Sequence, residues 1–348
     1  MVEARLQRSV RGMVRGRPGG RQEPWAVTLV IFLVCSGLCT SGAALAQHAR
    51  PFQIGALTDS WGPTPYIAGL RNGLVALGYC EDQQFVMGVR FTQGDLAALP
   101  AAARELVQAG VDVLIADSDN AAKAAQMATT RIPIVFAGVA DPLGLGLIES
   151  FARPGGNITG VTDLELEIGP KRLEVFQEIV PGLKRVLFPY AAHEVNAAAA
   201  TQVYRDAARR LGMELMERPV RTEAEAQAAL AQVRKGEVDG ILVAALSAGA
   251  LNIGGLVLEV ASQQGIPTMH SNPFMVERGG LASYGPDSYR SGRQAARLVD
   301  KILKGADPAE VPVEVNPKIE LAINLQVAKT LGLTIAPEVL YRADRLVR

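Results

Sequence analysis

Carboxylates and hydroxyls recur at one kind of place in this 348-residue chain, just beyond short apolar runs. Asp59-Ser60 follows Gln53–Thr58, Asp117-Ser118-Asp119-Asn120 follows Val111–Ala116, Asp141 follows Ile132–Ala140, and Thr162-Asp163 closes Ile158–Thr162. In the second half Tyr190, Ser247, Ser271-Asn272 and Tyr284 stand in equivalent places. Asp117, Asp119 and Asp141 are expected to share one rim, and such a rim attracts an amine or another cation whose charge offsets their mutual repulsion. Ser118, Ser247 and Ser271 suit a carboxylate or hydroxyl, helped by amides at helix N-termini. Tyr66, Tyr190 and Tyr284 could supply a flat apolar wall. Any one Asp, Ser or Asn at a strand end also serves as an ordinary helix cap, so the expectation rests on the set. The candidate ligand-binding residues are Asp59, Ser60, Asp117, Ser118, Asp141, Thr162, Tyr190, Ser247, Ser271 and Tyr284.

The chain lacks the patterns that would make such residues catalytic. It has no nucleophile elbow, no paired-histidine metal signature and no phosphate loop, and Glu149 stands where a dinucleotide fingerprint beginning Gly144-x-Gly146 needs its third glycine. His48, His193 and His270 have no partner motif and read as surface or loop residues. No catalytic residue, metal or cofactor is expected, and a binder whose lobes close on a ligand fits better than an enzyme.

These strand-end positions depend on a regular alternation of strand and helix. Ile132–Ala140, rich in Ile and Val and stopped by Asp141-Pro142, reads as a strand buried on both faces. Four strands with three intervening helices precede a break in rhythm at Arg153–Asn157, and a second strand-helix round follows from Pro170. Gly144 and Gly146 are expected to open a short helical piece, and Thr222 with Glu225 to form a capping box on a helix ending at Gly236. Two similar rounds predict an α/β protein of two doubly wound lobes with a cleft between them. In such sheets ligands sit beyond the carboxyl ends of the strands.

Residues 1–46 read as a secretory signal. Six arginines precede an apolar core over Ala26–Leu38, and Ala44-Leu45-Ala46 fits a small-x-small cleavage site. That core is shorter than the roughly 20 residues of a spanning helix. Without these residues 29 Lys and Arg face 33 Asp and Glu, a net charge of −4, which argues against a nucleic-acid surface. Cys80 is then the one remaining cysteine, so no internal disulfide is expected.

The run PIVFAGVADPLGLGLIESFARPGGNITGVT resembles the signature of a family of ABC-transporter substrate-binding proteins of the tryptophan/tyrosine type. PYIAGLRNGLVALGY, KRLEVFQEIVPGLKRV and LASYGPD with KIELAINLQVAKTLGLTI look like its other blocks, so the likeness runs from residue 53 to 348. The resemblance implies a type I periplasmic-binding-protein fold, with two Rossmann-like lobes joined by a three-crossing hinge. Residues 51–162 and 286–312 would form lobe 1, and residues 163–285 and 313–348 lobe 2. It implies delivery of a small molecule to an ABC permease in the inner membrane; the secretory signal leads to the periplasm, and a monomer is expected for a receptor that must hinge. A binding protein feeding a chemoreceptor or sensor kinase is the alternative, and an exported α/β enzyme a more distant one. Asn157, Thr159 and Gly160 match the family pattern and are expected to shape the crossing. Relatives carry a small, uncharged turn where this chain has Asp117-Ser118-Asp119-Asn120, which leaves room for a more cationic or more hydroxylated ligand.

Overall fold

The computed structural model describes residues 50–244 and 251–348; the signal-peptide expectation and Ser247 lie outside them. The apolar runs form thirteen strands among the described residues, in two sheets. β1 (Phe52–Thr58), β2 (Phe85–Phe91), β3 (Val113–Ala116), β4 (Ile134–Val139) and β5 (Ile158–Thr162) come from the first round. β6 (Arg185–Ala191), β7 (Glu214–Val220), β8 (Gly240–Val243), β9 (Thr268–His270) and β10 (Ala282–Pro286) come from the second. β11 (Glu314–Val315), β12 (Ile319–Asn324) and β13 (Arg345–Val347) follow. The first sheet has the order β11-β5-β4-β3-β1-β2 and the second β13-β12-β10-β9-β8-β6-β7. Every pairing is parallel except β10 with β12.

Parallel sheets need cover on both faces. Each sheet accordingly has an apolar cluster on either side, built on Leu70, Ile115 and Val299 or on Leu114, Phe136 and Ala125 in the first sheet. In the second sheet the two clusters centre on Phe176 and Phe188, or on Leu187 and Ile241. Strand order reverses beside β1 in one sheet and beside β6 in the other. At those reversals the following loops diverge to opposite faces and open a crevice at the carboxyl ends of the strands.

The chain passes between the sheets three times: after β5, after β10 into the helix Ser288–Leu303, which packs on β4 and β5, and after β11. β11 pairs with β5, Glu314 with Val161 and Val315 with Thr162, so residues 314–315 belong to the first sheet although the expected boundary lay at residue 313. The crossings are tied together by one polar knot. Tyr66 and Ser291 donate to the two oxygens of Asp163 at 2.5 Å each, and Asn316 donates to Ser291 Oγ at 2.8 Å. Thr159 donates to the Val311 carbonyl, and Asn157 to the carbonyls of Thr129 and Ile132, so both hold backbone beside the first crossing.

Some local expectations differ. Gly144 and Gly146 lie in turns and open no helix. The helix capped by Thr222 ends at Ala231, well before Gly236, and Glu225 reaches back to the Arg221 N–H. His270 is fully buried and held by Thr268; burial, with the Arg172 charge nearby, lowers its pKa to about 3 and keeps it neutral.

Helix Pro65–Ala76 crosses helix Ser288–Leu303 at glycine contacts. A Cβ on Gly69 would lie 2.1 Å from the Tyr289 carbonyl oxygen, and one on Gly292 2.0 Å from that of Tyr66. Backbone cannot yield as a flexible side chain does. Gly69→Ala is therefore expected to lower stability by roughly 1–3 kcal/mol through overpacking. Gly62→Ala, where nothing lies within 4 Å of the added carbon, is the control for the same denaturation measurement.

Candidate functional site

Loops from both sheets converge on a cavity of about 220 Å³ at the two points where strand order reverses. The first sheet contributes Thr58 at the end of β1, Asp59 and Ser60 beyond it, and Asp117, Ser118 and Asp119 beyond β3. The second contributes Glu194 and Asn196 beyond β6, and Ser271 and Asn272 beyond β9. Asp163 and Glu165 enter from the first crossing, Pro286 and Ser288 from the second.

Six of the lining side chains are carboxyls, and none is Lys, Arg or His. Among the described residues no group of three or more His, Cys, Asp or Glu converges as a metal shell. The acids face the cavity as separate groups, each held by its own partners. Ser118 Oγ donates to Asp59 at 3.0 Å, and Thr64 Oγ1 donates to Asp117 Oδ2 at 2.5 Å. Asp119 accepts from the Ala140 N–H at 2.9 Å and from Asn196 Nδ2 at 2.6 Å. Asn120 donates to Glu194 and accepts from the Val195 N–H, so both Asn120 and Asn196 bridge the loops of the two sheets.

Burial makes these carboxylates reluctant to ionise. It raises Asp117 to about 7, offset only in part by hydrogen bonds such as that from Thr64. It raises Asp119 to about 7, with Asp59, Glu165 and Asp141 adding repulsion, and Glu194 to about 8, with Asp59 and Asp119 adding theirs. Asp163 rises to about 6, and Asp59 also lies above its ordinary range. Glu165 is compensated directly. The fully buried Arg172 holds both of its oxygens, together with the Tyr204 hydroxyl and the Tyr284 carbonyl.

Of the ten candidates, Asp59, Ser60, Asp117, Ser118 and Ser271 line the cavity. Asp141, Thr162, Tyr190 and Tyr284 do not. Asp141 accepts from the Gly144 N–H at 2.8 Å, and a Cβ on Gly144 would sit 2.0 Å from its carboxylate, so Asp141-Pro142-x-Gly144 is a turn that keeps its own acid occupied. Thr162 is buried and donates to the Val139 carbonyl. Tyr190 stacks on Phe188 in the core, and Tyr284 packs at the edge of the same cluster. The candidate set lacked Thr64, Glu165, Glu194 and Asn196. Strand-end reasoning stopped one residue after Pro189, whereas β6 runs to Ala191 and its loop presents Glu194 and Asn196.

Residues 63–347 match the model of a family described as ABC transporter substrate binding protein. The chain belongs to that family. A tyrosine-binding protein of Clostridioides difficile is 29% identical over 267 residues, which span 76% of each chain. A conserved domain protein from Vibrio cholerae superposes with a TM-score of 0.78 at 32% identity, covering 85% of this chain and all of the other. The ABC domain from Streptococcus pneumonia, solved in complex with L-Trp, gives 0.76 at 26% identity, covering 86% of this chain and all of the other. The family and its tyrosine-binding member are binding proteins, not enzymes, and the two parallel-sheet lobes are those of the type I periplasmic binding fold.

Proposed function

We propose that this protein is an exported solute receptor that captures a small amine-bearing molecule, an amino acid or a simple amine, between its lobes and delivers it to an ABC permease. The observation that carries this reading is the cavity at both strand-order reversals, walled by six carboxyls and by no cationic side chain. The tyrosine and tryptophan named for its relatives share an ammonium group that such a wall suits. Lobe 1 is residues 51–162 with 286–315, and lobe 2 is residues 163–285 with 316–348. The three crossings form the hinge, and the lobes close over bound ligand. Ligand shifts that equilibrium only by binding the closed form better than the open one. Bridges from Asn120 to Glu194 and from Asn196 to Asp119 are contacts that favour closure. The arginine-rich, apolar start of the chain suits export to the periplasm with cleavage after Ala46, and the receptor works as a monomer. Among the described residues no helix is long and apolar enough to cross a membrane.

A thermal-shift screen of amino acids, amines, sugars and small acids tests this. An amine-bearing ligand at a hundredfold excess over Kd is expected to add about 2.7 kcal/mol of stability. Sugars and small acids are expected to add none. A shift confined to sugars or acids would overturn the reading.

A further inference from the structure

Hydrogen-bond accounting around the cavity leaves acceptors without donors. Five of the hydroxyls that line it donate to the protein: Thr64 to Asp117 Oδ2, Tyr66 to Asp163, Ser118 to Asp59, Ser60 to the Gly62 carbonyl and Thr58 to Ser60 Oγ. At the adjoining helix starts the Ala121 N–H is taken by Ser118 Oγ and the Ile67 N–H by Thr64 Oγ1. Two acceptors are left over, Asp117 Oδ1 on the first lobe and Asn196 Oδ1 on the second. Both side chains line the cavity and are more than nine-tenths buried, at 7% and 6% exposure. Buried polar atoms in folded proteins are almost always paired, so two orphans in one cavity point to a missing donor. Of the two, the Asp117 oxygen belongs to a carboxyl that a bound cation would hold ionised, and a charge-assisted bond to it is worth about twice a neutral one.

Charge tells the same story. The nearby guanidinium of Arg172 has no exposure, is fully engaged by Glu165, Tyr204 and the Tyr284 carbonyl, and does not line the cavity. A ligand carboxylate would be stripped of water among like charges with no cation to receive it, which is costly. An ammonium or guanidinium supplies the positive charge that no lining side chain provides, with N–H groups for the two unpaired oxygens.

We infer that the ligand is an organic cation without a carboxylate, an amine or guanidine in place of a zwitterionic amino acid, whose N–H groups are received by Asp117 Oδ1 and Asn196 Oδ1. This narrows the solute-receptor reading above and rests on it. Isothermal titration of the full-length protein with matched pairs decides it: tyramine against L-tyrosine, and agmatine against L-arginine, each pair differing by the carboxylate alone. At least one amine is expected to bind tenfold or more tightly than its parent amino acid. Asp117→Asn is expected to weaken that amine by tenfold or more; if the variant does not fold, the matched pairs stand without it. An amino acid that binds as tightly as its amine or better overturns the inference and leaves the receptor reading intact. If neither amine binds at millimolar concentration, the inference is overturned as well. Binding confined to sugars or small acids defeats both.

Discussion

Replacing Arg172 with methionine is expected to lower the stability of the protein by about 3–5 kcal/mol, the usual consequence of removing one partner from a buried ion pair. Arg172 is fully buried and bonds both oxygens of Glu165, the hydroxyl of Tyr204 and the carbonyl of Tyr284. Methionine matches much of the volume but supplies none of those donors. Glu165 would then be a buried carboxylate beside Asp119 and Asp163, both already raised by burial and by its charge. The double change Arg172→Met with Glu165→Gln removes the stranded charge and is expected to recover a large part of the loss. Denaturant unfolding of the wild type, both single variants and the double variant measures the coupling. A single-variant cost below about 1 kcal/mol would mean that Glu165 finds another partner, and would contradict the account of this pair.

Much of this architecture was legible because strand burial and strand-end chemistry leave a direct trace in the sequence. The run Ile132–Ala140 could only be a strand covered on both faces, and β4 occupies its centre. Asp59 and Asp117 line the cavity because each follows a buried strand at a strand-order reversal, where sequence neighbours become cavity neighbours. Asp141 stays outside the cavity, because an acid three residues before an available N–H can close its own turn, and Gly144 supplies that N–H with no side chain in the way. Tyr190 stays in the core because β6 runs past it, Pro189 and Tyr190 continuing the pairing with Arg218 and Pro219. Arg172 left no trace at all. It sits in a helix among Lys171 and Glu174, which are half exposed, and nothing in the local pattern tells a solvated arginine from one turned inward. The last strand, β13, was equally hidden, since its three residues carry no buried side chain and pair only because β12 lies alongside.

Affinity for an amine is expected to rise with pH, by tenfold or more between pH 5.5 and 8.5. In the ligand-free cleft Asp163, Asp117, Asp119 and Glu194 titrate between about 6 and about 8, raised chiefly by burial. The other charged groups facing them are Asp59, which is also raised, Asp141, which repels Asp119, and the Glu165–Arg172 pair, which is internally compensated. Below pH 6 most of the four are neutral, and an incoming cation meets little charge. A bound cation favours the ionised forms, so binding expels protons, and each proton released adds up to a factor of ten in affinity per pH unit. The amine itself stays charged throughout. Stability of the ligand-free protein runs the opposite way. A carboxyl whose pKa is higher folded than unfolded gives stability that is complete below its unfolded value near 4 and is lost as pH rises through its folded value. The ligand-free protein is therefore expected to melt about 5 °C or more lower at pH 8.5 than at pH 5.5, with bound amine narrowing the gap. Calorimetric titration in two buffers of different ionisation enthalpy counts the protons directly. Equal affinity at both pH values with no proton release would show that these carboxyls are ionised before ligand arrives, and that the cation does not replace protons in the cleft.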